Sequence, residues 1–196
     1  MLTLSRSHNK WIITFIDDAS GFAALHFLRS KADAVHCFQD LVSWAEAQTG
    51  SWLRSVRLDQ GGEYINDNLR TFLLSRGIEH QTSVPCTPQQ NGQAECFNRI
   101  ILEKAEAMRQ TACVPPSFWQ DAVETALHIY NHQPMCHLDW SPPISKWNGE
   151  TPDVSYFKVF GCLAYVFIPK EDCQNKLSAK AEEATFIDYE KDTKGY

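Results

Sequence analysis

Apolar positions along the chain fall into two rhythms, one suited to strands and one to helices. Trp11–Ile16 is continuously apolar and rich in β-branched and aromatic types, which predicts a buried strand. Asp17-Asp18-Ala19-Ser20-Gly21 closes that run as a turn, and residues 22–28, FAALHFL, read as a second strand pairing back across it. From Lys31 to Gln48 the apolar residues Ala34, Val35, Phe38, Leu41, Val42 and Ala45 recur at helical spacing, and Thr49-Gly50 stops the pattern. A short strand over 53–59 ends at Gly61-Gly62. A helix over 66–76 follows, capped by Asn66 or Asp67, facing inward with Leu69, Phe72 and Leu73 and stopped by Gly77. Residues 78–84 alternate as a strand.

The second half is mainly helical. PCTPQQNGQ, residues 85–93, is dense in Pro, Asn, Gln and Gly and reads as a mobile loop. A long helix over roughly 93–111 buries Phe97, Ile101, Ala105 and Met108, while Glu95, Asn98, Arg99, Glu106 and Arg109 occupy another face. Pro115-Pro116 breaks it. Phe118 to His132 is a further helix, with Ser117 as its cap and Trp119, Ala122, Val123, Ala126 and Ile129 turned inward. Residues 134–157 read as an irregular wrap or linker. Beyond them VFGCLAYVFIP is strand-like, and residues 182–196 suggest a second strand and hairpin. Strands first, then βαβ alternation, then helices predict a layered α/β domain with a small β module after it.

Composition narrows the class. A chain of 196 residues suits one medium domain with a small appendage. No apolar stretch approaches the ~20 residues of a membrane span, and WIITFI is too short for a signal-peptide core, so an intracellular protein, nuclear or cytoplasmic, is expected. Seven cysteines, none in C-x-x-C spacing, fit a reducing compartment rather than a disulfide framework or zinc finger. His128, His132 and Cys136 have the spacing of metal ligands on a helix, but Pro134 ends the helix before Cys136 and spoils their convergence. The net charge of −6 and the lack of a basic run argue against tight autonomous DNA binding, because phosphate affinity rests on Lys and Arg.

Two carboxylates stand in settings suited to chemistry. Asp59 ends a predicted strand just before two glycines, where an α/β sheet presents functional side chains. Glu95 falls in the first turn of the predicted long helix, with Asn98 and Arg99 on its own stripe at i+3 and i+4. Carboxylate, amide and guanidinium side by side suit a metal and an adjacent phosphate. Asp59 and Glu95 are separated by 35 residues.

That spacing lies within a longer resemblance. FIDDASGF, LRSVRLDQGGEY, GIEHQTSVPCTPQQNGQAECFNR, FWQDAVETALHIYNHQP and SPPISKWNGETPD, in this order, resemble the catalytic core of retroelement integrases, most closely the copia-type. Residues 156–196 look like the SH3-like β module that follows that core. The resemblance implies a ribonuclease H-like α/β fold, with a mixed sheet flanked by helices, over residues 1–150. The SH3-like module, incomplete at its C-terminus, would occupy 156–196. It also implies a three-carboxylate site for Mg2+ or Mn2+ that transfers DNA strands. Asp59 matches the second aspartate and Glu95 the glutamate, both as catalytic metal ligands. Gln89, Gln90, Asn91 and Gly92 match the flexible loop that positions DNA ends, and Asn98 and Arg99 match the pair after the glutamate. The implied partners are nucleic acid (DNA ends, target DNA and RNA) and further copies of the chain, with no membrane.

The departures bear on activity. The family's first aspartate lies on a strand upstream of the hairpin, and MLTLSRSHNK has no carboxylate, so the core is expected to be truncated and inactive as encoded. The family's upstream His/Cys zinc-binding segment is absent as well. Cys96 stands where the family commonly has arginine, and Asp188 replaces a glycine. Asp17 and Asp18 lie at the far end of a neighbouring strand, and a turn role, capping nearby N–H groups, is expected of them. The alternative function is a non-catalytic module that binds DNA, RNA or another partner.

Overall fold

The computed structural model describes residues 3–58, 67–82, 88–169, 171 and 179–189. Strands β1 (Trp11–Ile16) and β2 (Ala23–Leu28) form an antiparallel hairpin, with Trp11 opposite Leu28 and Ile16 opposite Ala23. The strand period of two splits its side chains between two layers. Ile12, Ile16, Ala23, Leu25 and Phe27 face the main core, and Ile13, Phe15 and Leu28 face the opposite side. β1 is therefore half-buried along most of its length rather than fully buried.

Helix α1 (Ala34–Thr49) covers that opposite side with Ala34, Phe38 and Val42. A 3-10 turn over Lys31–Asp33 precedes it, closed by a capping box between Ser30 and Asp33. β3 (Ser55–Leu58), α2 (Asp67–Arg76) and β4 (Glu79–Thr82) make a βαβ unit with parallel strands. Val56 and Leu58 pack with Phe38, Leu69, Leu73 and Ile78, while Ser55 and Arg57 on the other face are exposed. Among the described residues β3–β4 and β1–β2 share no ladder; both rest on α1, where Phe15 of β1 meets Phe38 at 5.9 Å.

Helix α3 runs from Pro88 to Thr111 and α4 from Trp119 to His132; the pair covers the hairpin's main-core face. α3 thus begins well before the residue expected from sequence and takes Gln89, Gln90, Asn91 and Gly92 into its backbone, correcting the loop expectation for 88–93. Proline is well suited to the first helical position, where its missing N–H is not needed and its φ is preset. Ser117 does not cap α4; it lies inside a 3-10 turn, Pro116–Phe118, that leads into the helix.

α4 is pinned to the hairpin by a buried amide. Asn131 Oδ1 accepts from the Ala23 N–H at 3.0 Å and its Nδ2 donates to the Ala23 carbonyl at 2.8 Å. The N-terminal segment docks at the other end of α4: Trp119 Nε1 donates to the Thr3 carbonyl, Asn9 Nδ2 to Gln120 Oε1, and Arg6 lies over the Phe118 ring.

The stretch read as an irregular wrap contains a 3-10 turn, Cys136–Leu138, and a short helix, α5 (Pro143–Asn148). α5 starts at a Pro-Pro pair and stops at Gly149, with φ of +79°. It places Trp147 on Phe22, centroids 4.8 Å apart, and beside Trp44 of α1 at 6.0 Å. β5 (Leu163–Phe167) and β6 (Ala181–Thr185) form the third strand pair, which is antiparallel. Phe160 and Ile187, which flank it, join the α3–α4 core.

Candidate metal and nucleic-acid site

Glu95 lies in the second turn of α3, not the first, because the helix starts at Pro88; its side chain is exposed. Arg99, one turn on, is also exposed, and its Nη2 donates to Cys96 Sγ at 3.8 Å. Asn98 is half-buried and lines an open groove of about 260 Å³. Trp11, Ile12 and Thr14 of β1, Leu25 of β2, Ile101 and Leu102 of α3 and Val123 of α4 line the same groove. Glu95, Asn98, Arg99 and Leu102 thus form one helical stripe beside the hairpin, as their i, i+3, i+4, i+7 spacing requires. The groove and Thr14 escaped the sequence reading. The available signal was a hydroxyl in an otherwise apolar strand.

The other cations of α3 are engaged structurally. Lys104 Nζ donates to Gln133 Oε1 at 2.9 Å, and burial pushes its pKa down. Arg109 makes two bonds to the Glu106 carboxylate, at 2.7 and 2.9 Å, and a third to the Val114 carbonyl at 2.8 Å. Hydrogen bonds from Arg109 and Gln110 hold Glu106 at a pKa of about 2. This fork ties the end of α3 to the following chain, so Glu106 and Arg109 belong to the helix end rather than to a phosphate site.

Asp59 lies outside the described residues. Gln89, Gln90 and Asn91 lie on the α3 backbone, six to four positions ahead of Glu95 in sequence. Asp17 is committed to its turn: Oδ2 accepts from the Ser20 N–H at 2.8 Å and from Ser20 Oγ at 2.6 Å, while its carbonyl accepts from the Gly21 N–H at 2.8 Å. Asp18 is exposed. Among the described residues no three His, Cys, Asp or Glu side chains converge as metal ligands, so these residues alone do not fit a divalent ion.

His128 and His132 have a different setting. α4 ends at His132 and Cys136 sits in the separate 3-10 turn, as Pro134 predicts. His128 Nε2 pairs with the Tyr156 hydroxyl at 2.7 Å, its ring stacks on Tyr189 at 4.5 Å, and His132 lies 4.2 Å away. Burial, with the neighbouring His132, lowers the His128 pKa to about 4. These rings join α4 to the segment carrying β5 and β6.

Known proteins resemble this chain in sequence and in fold. The Integrase core domain family matches residues 2–88, a stretch that includes Asp59 and stops short of Glu95. The retrovirus-related Pol polyprotein from transposon TNT 1-94 of Nicotiana tabacum is 39% identical over 192 residues, covering 98% of this chain and 14% of that protein. The corresponding polyprotein from transposon RE2 of Arabidopsis thaliana is 30% identical over 186 residues, 95% of this chain and 13% of that protein. The chain thus spans about one seventh of these curated relatives.

Among solved structures, a chain of the simian T-cell lymphotropic virus intasome, in complex with PP2A regulatory subunit B56 gamma, superposes with a TM-score of 0.59 at 17% identity. The match covers 88% of this chain and 62% of that one. The HTLV-2 integrase catalytic core domain in complex with magnesium, in a trimeric form, gives 0.53 at 18% identity, covering 68% and 82%. The fold is that of the ribonuclease H-like integrase catalytic core. Over residues 2–88 the chain is thus similar to the integrase core family, and over nearly all its length to the Pol polyproteins of copia-type retroelements.

Proposed function

We propose that this chain is an integrase core whose descent is in DNA integration, with Asp59 and Glu95 as carboxylates for Mg2+ or Mn2+, and that it is inactive as encoded. The observation that carries the inactivity is the closure of the Asp17 carboxylate onto Ser20, which takes one of the two carboxylates of the hairpin turn out of use as a substitute third ligand. A divalent ion at such a site stabilises charge developing on the attacked phosphate. Glu95 supplies an exposed carboxylate next to Arg99, a cation with only a long thiol contact among the described residues and therefore available to a phosphate. Asn98 places an amide at the mouth of the groove. Gln89, Gln90 and Asn91, on the turns that lead into Glu95, are the proposed contacts to DNA. Residues 156–196 are proposed as the SH3-like module of the same polyprotein.

Manganese binding followed by electron paramagnetic resonance tests the ligand assignment. Weak binding is expected, and Asp59→Asn and Glu95→Gln should each weaken it by about tenfold, or about 1.4 kcal/mol. Binding that neither variant changes overturns the assignment.

A further inference from the structure

The C-terminal strand pair is fastened to α4 through two imidazoles. His128 Nε2 pairs with the Tyr156 hydroxyl at 2.7 Å, and its ring stacks on Tyr189 at 4.5 Å and meets Phe157 at 5.2 Å. His132, one turn on, meets Phe157 at 5.4 Å. The stretch ahead of β5 and the stretch after β6 thus close over the same two rings. They are also tied to each other, since the Tyr189 hydroxyl accepts from the Lys158 N–H at 2.9 Å and donates to its carbonyl at 3.1 Å. Phe160 and Ile187 hold the same stretches to the core by apolar contact, which pH leaves unchanged.

The seam disfavours positive charge. The ring centroids of His128 and His132 are 4.2 Å apart, so two imidazoliums there would repel at close range. Lys104 of α3 bonds Gln133, beside His132, and adds a further positive charge. Ahead of β5 stand Tyr156 and Lys158, after β6 Asp188 and Tyr189, and Glu124 lies one turn before His128 on α4. Asp188 Oδ1 is occupied by the Tyr189 N–H at 2.8 Å and the Thr125 hydroxyl at 3.4 Å. We propose that His128 and His132 work as an acid-operated clasp: uncharged they hold the β5–β6 segment on α4, and charged they release it, while the β1–β2 hairpin stays paired. Burial, and then His132, lower the His128 pKa to about 4, and burial lowers that of His132. The docked pair is therefore favoured above pH 6.5, and that preference is lost as pH falls toward about 4. This inference does not rest on the carboxylate site.

Hydrogen exchange of the full chain, read by mass spectrometry and corrected for the pH dependence of chemical exchange, tests it. Between about pH 7 and pH 5 the β5 and β6 amides should open about tenfold more often, after allowance for partial exposure of the rings, while the β1 and β2 amides keep their protection. The double variant His128→Gln with His132→Gln keeps hydrogen-bonding side chains that cannot titrate, and it should lose the response. His128→Gln alone should cut it to about threefold or less, which keeps the test open if the double variant does not fold. Asp188→Asn should leave the response as it is. Opening of β5 and β6 that does not change with pH, a loss of protection shared equally by β1 and β2, or an undiminished response in His128→Gln overturns the proposal. So does its disappearance in Asp188→Asn, since the acid sensitivity would then belong to that carboxylate.

Discussion

One oxygen of Asp17 holds Ser20 twice, accepting from its N–H at 2.8 Å and its hydroxyl at 2.6 Å. The Ser20 hydroxyl oxygen in turn accepts from the Phe22 N–H at 3.1 Å, so the carboxylate organises the whole turn between β1 and β2. Asp17→Ala should destabilise the chain by about 1–2 kcal/mol in urea unfolding, with Asp17→Asn retaining part of the stability, since it keeps one acceptor oxygen. Loss of less than a few tenths of a kcal/mol in Asp17→Ala would show the turn to be idle.

Asn131 stands in for a strand partner at Ala23. Removing it leaves a buried N–H and C=O unpaired, each costing about 1–3 kcal/mol. Asn131→Leu should therefore lower stability by about 2–4 kcal/mol while keeping the volume, read from the urea midpoint. A near-neutral effect would mean that Ala23 finds other partners.

Gly161 sits against Ala112, just past the end of α3, at a φ of +83°, and a Cβ there would meet Ala112 Cβ at 2.2 Å. Gly161→Ala should cost about 2–4 kcal/mol through the clash and the backbone strain together. Pairing it with Ala112→Gly should recover only the steric part, a partial rescue visible in a double-mutant cycle.

His128 gives stability a pH dependence of defined sign. Its pKa falls from 6.5 to about 4 on folding, because burial and His132 disfavour the charged ring. The unfolded chain therefore binds more protons between those values. The contribution is fully present above pH 6.5 and is lost as pH falls toward about 4. After allowance for partial exposure it amounts to about 1–2 kcal/mol. Urea midpoints measured across this range should rise with pH in the wild type, and more shallowly in His128→Phe. Equal slopes would remove His128 from the account.

Much of the fold was legible because its signals are local. The β1 run and its Asp-x-x-Ser-Gly turn, the α1 stripe through Ala34, Phe38 and Val42, and the Gly50 and Gly77 stops follow from spacing and backbone preference alone. The start of α3 was misread because Pro, Gln, Asn and Gly favour loops, yet Pro88 fits the first helical position and the core-facing stripe behind it carries the helix. α5 is too short to show a period, and its place depends on Trp147 finding Phe22 across the chain. The Asn131–Ala23 bracket spans 108 positions and the His128–Tyr189 stack 61, so neither has a local trace. At the site, the stripe of Glu95, Asn98 and Arg99 could be read from spacing. The groove beside it needed β1, β2 and α4 in place.

Strand transfer itself tests the central claim most directly. Donor DNA ends and a target are incubated with the chain in Mg2+ and in Mn2+, and joined products are counted. The proposed inactivity predicts none above background, because the Asp17 carboxylate is held by Ser20 and is not free to join Asp59 and Glu95. Robust metal-dependent product that Asp59→Asn abolishes would contradict it.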